Sequence, residues 1–77
     1  MTDLIIDSVF EYLKDGQWHN VYDIDLHLPH ETLKIMAVVD FIAQYGIAEV
    51  KRDEDGWITE VRLIESTVKW YAKLKGG

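Results

Sequence analysis

The chain has no cysteine, which excludes a disulfide framework and a thiolate zinc site and fits a cytoplasmic protein. It has one proline, at position 29, so only one point along it is barred from helix by the ring itself. Long apolar runs are missing too. The longest, Ile35 to Val39, is five residues, against about 20 needed to cross a bilayer as a helix. The opening Met1-Thr2-Asp3 lacks the basic flank of a signal peptide, so neither secretion nor membrane insertion is expected. Positive charge is scarce: eight Lys and Arg stand against 14 Asp and Glu, a net charge of −6. That is the wrong sign for a dedicated nucleic-acid binder, whose affinity comes largely from cations on phosphates.

What is present is apolar and aromatic. Hydrophobic residues make up 48% of the 77, including three Trp, four Tyr and two Phe. At this size only about 60% of the unfolded surface can be buried, so residues 1–77 form one domain and the aromatics are expected to supply much of its core.

Leu4, Ile5, Ile6, Val9, Phe10, Tyr12 and Leu13 recur at helical spacing, and Asp3, Asp7 and Glu11 stack on the outside. The pattern predicts a helix from about Asp3 to Lys14, with Thr2 as N-cap and Gly16 at the C-terminal cap. Gln17-Trp18-His19 reads as a short extended piece. Asn20 opens a second helix, with Asp23 in a capping-box arrangement, and Pro29 ends it near Leu28. A third helix runs from Pro29 or His30 to Tyr45 and stops at Gly46. The period then changes to two. Ile47–Arg52 and Trp57–Leu63 read as strands joined by Asp53-Glu54-Asp55-Gly56, with Glu49 and Lys51 facing Glu60 and Arg62 across the pair. A last helix from Glu65 to Lys75 carries Val68, Trp70, Tyr71 and Leu74. The fold class is α+β, mainly α.

The stretch Tyr22 to Glu49 resembles the heart of the winged helix-turn-helix superfamily: Thr32-Leu33-Lys34 opens its third helix, and Phe41-Ile42-Ala43-Gln44-Tyr45-Gly46-Ile47-Ala48-Glu49 leads into the wing. The element order along nearly the whole chain is similar to that family as well, although Leu28-Pro29-His30 stands where a turn glycine is usual. The resemblance implies a three-helix core, a β-hairpin wing and a C-terminal helix. It also implies duplex DNA read by the third helix and wing, or, as in a sizeable minority of the family, protein interaction or dimerisation.

The residues that would do this are identifiable. At 100° per residue, Ile35, Val38, Val39, Ile42 and Tyr45 of the third helix share a core-facing arc. His30, Leu33, Lys34, Ala37, Asp40, Phe41 and Gln44 share the opposite, candidate recognition arc. One lysine, one glutamine, a carboxylate and two large apolar groups are poor tools for reading base edges. Leu33 and Phe41 either form a protein contact or pack on the first two helices; both readings stand. The wing residues Lys51, Arg52, Asp53, Glu54, Asp55 and Arg62 include three cations, but the tip is acidic and reads as an ordinary solvated turn. On the last helix Trp70, Tyr71 and Leu74 form a candidate dimer face, beside Lys69, Lys73 and Lys75, which complement the helix dipole or the acidic first helix.

Other chemistry is weakly signalled. Asp23, His27 and His30 span a proline-broken turn and do not share one helical face, so no metal site is expected. Ser8 and Ser66 lack a local His–Asp context and the five glycines are dispersed, so the chain reads as non-enzymatic, without cofactor or small-molecule substrate. The terminal Gly76-Gly77 is similar to that of ubiquitin-like modifiers, but the helical start is not, and a frayed helix end is the expectation. The expected partners are another protein or a second copy, with duplex DNA as the alternative.

Overall fold

The computed structural model describes residues 5–76; the Thr2 cap, Asp3, Leu4 and Gly77 lie outside them. Four helices and a three-stranded antiparallel sheet follow in the order α1 (Ile5–Leu13), β1 (His19–Asn20), α2 (Val21–His27), α3 (Thr32–Gln44), β2 (Ala48–Arg52), β3 (Ile58–Leu63) and α4 (Glu65–Gly76). Among the described residues, no helix is long and apolar enough to cross a membrane.

Local chemistry sets the boundaries. Gly16 has φ +73° and donates its N–H to the Leu13 carbonyl at 3.1 Å, the left-handed cap that a residue with a Cβ adopts only at a cost. Asn20 caps α2 by accepting from the Tyr22 N–H at 2.8 Å. Asp23 returns no bond to it among the described residues, and Asn20 is also paired with Glu60 across β1 and β3. α3 starts at Thr32, two or three residues later than the expected Pro29 or His30. Pro29 and its neighbours make the bend, and the extended Glu31 offers its carbonyl to Lys34 and Ile35, each at 3.0 Å.

The sheet order is β1-β3-β2, with Glu49 opposite Arg62 and Lys51 opposite Glu60, as the alternation predicts. One irregularity changes its outcome. Lys51 pairs with Glu60 but Arg52 pairs with Ile58, so Thr59 is an extra residue on β3, a β-bulge. Strict alternation would put Trp57 on the face of Val61 and Leu63. The bulge reverses the phase, burying Ile58 and leaving Trp57 71% exposed.

The core is built from aliphatic side chains between the helices and one sheet face: Val9, Leu13, Ile24, Ile35, Val39, Ile42, Val61 and Leu63 are almost wholly buried. The aromatics contribute less than their number suggests. Phe10 and Tyr71 are buried, whereas Tyr22, Phe41, Tyr45, Trp57 and Trp70 are exposed. Tyr45, expected on the core arc of α3, lies at its margin and packs on Phe41 with ring centroids 4.8 Å apart.

Candidate interaction face

The face formed by α2, α3 and the β2–β3 hairpin combines apolar exposure with little unpaired positive charge. α2 is seven residues long and holds the core through Val21 and Ile24. With those inward, the helical period turns Tyr22 and Leu26 outward, and they are 76% and 80% exposed. On α3, Leu33, Lys34, Ala37, Asp40, Phe41 and Gln44 are all exposed, and Leu33 reaches 83%. The two readings of Leu33 and Phe41 therefore resolve to exposure. His30 departs from the expected arc: it lies before α3, half-buried, with Nε2 3.3 Å from Ser8 Oγ on α1.

Three contacts tie the elements into one surface. Thr32 Oγ1 donates to Asp25 at 2.7 Å, joining α3 to α2. Arg52 lies 3.7 Å from Asp40, joining hairpin to α3. Tyr22, Met36, Asp53 and Trp57 line a single groove between them. A soluble surface seldom exposes side chains this large in one place unless something binds there.

Each of the three hairpin cations has a carboxylate partner. Arg62 meets Glu49 at 3.1 Å, Lys51 meets Glu60 at 3.5 Å, and Arg52 meets Asp40. Lys51 and Arg62 also lie over the ring of Trp18, 4.5 and 4.7 Å from its centroid, a cation–π arrangement that the sequence reading missed. Exposed pairs of this kind are worth only about 0–1 kcal/mol each, so they do not lock the cations away. The balance of charge decides the matter: between Glu49 and Arg62 stand five carboxylates and three cations. Lys34 has no ion-pair partner among the described residues.

The acidic tip is an exposed turn, as expected, and one of its carboxylates also holds its shape. Asp53 builds it, accepting from the N–H groups of Asp55 and Trp57, each at 2.9 Å. Gly56, at φ +88°, closes the turn back to the Asp53 carbonyl. Asp53→Ala is expected to cost about 1–2 kcal/mol and to loosen Trp57, while Asp53→Asn keeps an accepting oxygen and most of the stability. Urea unfolding of the two variants checks this; equal losses would show that the bonds contribute nothing. Glu54 and Asp55 make no side-chain bond among the described residues and project freely.

The last helix departs from the expected dimer face. Tyr71 is 3% exposed, packs edge-on against Phe10 at 5.7 Å and donates its hydroxyl to Glu11 at 2.8 Å. It belongs to the α1–α4 contact. Trp70 and Leu74 remain outside, and Lys69 pairs with Glu65 of its own helix at 3.1 Å. Glu11 is held below the usual carboxylate range by bonds from Lys14 and Tyr71. Burial would raise Asp15, but bonds from the Gln17 N–H and His19 outweigh it and leave the carboxyl lowered. The histidines do not converge: His27 Nδ1 donates to the Asp23 carbonyl at 2.7 Å, away from the Ser8 contact of His30. Among the described residues, no three metal-ligating side chains are grouped.

Compared with known protein families, curated proteins and solved structures, the chain matches none.

Proposed function

We propose that the chain is a winged-helix binding module that works by holding another protein on its α2–α3–hairpin face, in a DNA-associated or regulatory setting. The order of helices and strands supports the fold reading, with β2–β3 as the wing and α3 as the helix that would otherwise enter a DNA groove. The observation that carries the function is the chemistry of that face. Leu33, Leu26, Tyr22 and Trp57 are each more than two-thirds exposed, where a DNA reader needs cations and amides. The wing cations face carboxylates, and the setting rests on the family resemblance alone.

Direct DNA binding is the second reading, favoured by Lys34 and Gln44 on the exposed arc of α3. Fluorescence anisotropy with labelled mixed-sequence duplex separates the two. The interaction reading expects no binding below millimolar concentrations, even at low salt. Micromolar binding that weakens steeply with salt and is lost in Lys34→Ala would replace it with the DNA reading.

A further inference from the structure

Charge around the apolar face narrows what can sit on it. Asp23 and Asp25 flank Tyr22 and Leu26 on the helical wheel of α2. Glu31 leads into α3, Asp40 sits beside the hairpin, Asp53 lines the groove with Tyr22, Met36 and Trp57, and Glu54 and Asp55 follow it in the exposed turn. Beside these seven carboxylates stand Lys34 and Arg52, and Arg52 already contacts Asp40 and the Gly56 carbonyl; the other hairpin cations, Lys51 and Arg62, lie over Trp18 and against Glu60 and Glu49. We infer that the partner of this face is a cationic protein segment carrying large apolar side chains, its Lys or Arg residues meeting the acidic rim while its apolar groups cover Tyr22, Leu33 and Trp57.

The physical case has two parts. Covering the apolar groups supplies affinity in proportion to the area removed from water. The rim supplies steering and selection, because an acidic or phosphate-bearing partner meets like charge on three sides. A second copy presented through its own acidic surface meets the same repulsion. Among the described residues, its one matching feature is the end of α4, where Trp70 and Leu74 stand among Lys69, Lys73 and Lys75. Docking that end into the face would be head-to-tail and would build rings or open chains.

The inference rests on the interaction reading above, and the test separates the two. The probes are three labelled peptides of equal length: an amphipathic Leu/Lys helix, its Leu/Glu counterpart and oligolysine. Each is titrated by anisotropy at physiological salt against the full chain. Only the Leu/Lys peptide is expected to bind at micromolar concentration. Its affinity should fall at least tenfold in Trp57→Ser and again in E54K/D55K, with Asp7→Asn on α1, outside the groove that Tyr22 and Trp57 line, as a control that leaves it unchanged. All these side chains are exposed, and circular dichroism checks that each variant is folded. Equal binding to wild type, Trp57→Ser and E54K/D55K would overturn the inference by placing the peptide elsewhere. Binding of the Leu/Glu peptide at the Trp57 face would overturn the charge assignment and leave the interaction reading intact. Duplex DNA that competes at that face would remove both. Light scattering that shows assembly beyond the monomer, abolished by Trp70→Glu, would replace the foreign segment with a second copy.

Discussion

Ile24→Ala is expected to cost about 2–5 kcal/mol and to detach α2 from the body of the protein. Ile24 is fully buried, and with Val21 it is the only buried residue of a seven-residue helix. A helix that short has no stability of its own. It persists because Ile24 fills the core, Asn20 caps its start and Thr32 bonds Asp25 near its end. For a chain of this length the total stability is of order 4–12 kcal/mol, so the substitution removes a large share of it. The local consequence matters as much. Tyr22 and Leu26 ride on α2, so the proposed interaction face loses one wall even where the rest of the fold survives. Two measurements check this: the urea midpoint falls, and hydrogen exchange quickens at the Leu28 amide, which donates to the Ile24 carbonyl at 3.0 Å. Leu26→Ala, on the exposed side of the same helix, should change stability by no more than about 0.5 kcal/mol while weakening binding. A loss below about 1 kcal/mol for Ile24→Ala would mean that packing at this position is not what holds α2.

Which parts of this arrangement were legible in the sequence follows from the range of the interactions involved. The caps at Gly16 and Asn20 and the pairing of Glu49 with Arg62 and Lys51 with Glu60 depend on neighbours or on strand period, and both are written locally. The bulge at Thr59 is not. The doublets Trp57-Ile58 and Thr59-Glu60 interrupt the alternation but do not say which residue is extra, and the bulge exchanges the faces of Trp57 and Ile58 and so delivers an indole to the candidate site. Helical periodicity had the same weakness on α3 and α4. It placed Tyr45 and Tyr71 at correct angles, but angle alone does not say where a neighbouring element stops. Tyr45 falls beyond the cover of the core, and Tyr71 falls under Phe10. The pairing of Arg52 with Asp40 and the seat of Lys51 and Arg62 over Trp18 join segments far apart in the chain. Counting charge showed that the hairpin was acidic; only the fold shows which carboxylates its cations face.

Tyr71→Ala is expected to cost about 3–5 kcal/mol, as for other buried aromatic truncations, because Tyr71 is the large buried side chain by which α4 meets α1. Tyr71→Phe keeps the ring against Phe10, loses only the hydroxyl bond to Glu11, and should cost much less. The phenol also carries a signature in pH. Burial, reinforced by the adjacent Glu11 carboxylate, pushes it up to about 12 from an ordinary value of 10.0. A raised value in the folded state means that the neutral form is the one the fold favours. Its contribution to stability is thus intact below pH 10 and is lost as pH rises towards 12, where the unfolded chain has already released the proton. An ultraviolet titration should show a phenolate component near pH 12 that is absent in Tyr71→Phe. The same substitutions decide what α4 does for association. If α4 is packed as described, Tyr71→Ala destabilises the monomer, and Leu74→Ser, at an exposed position, leaves stability unchanged. Should Tyr71→Ala instead leave the urea midpoint in place and lower a mass first measured as dimeric, α4 would be an arm reaching to a second copy, and the buried position of Tyr71 would have to be abandoned.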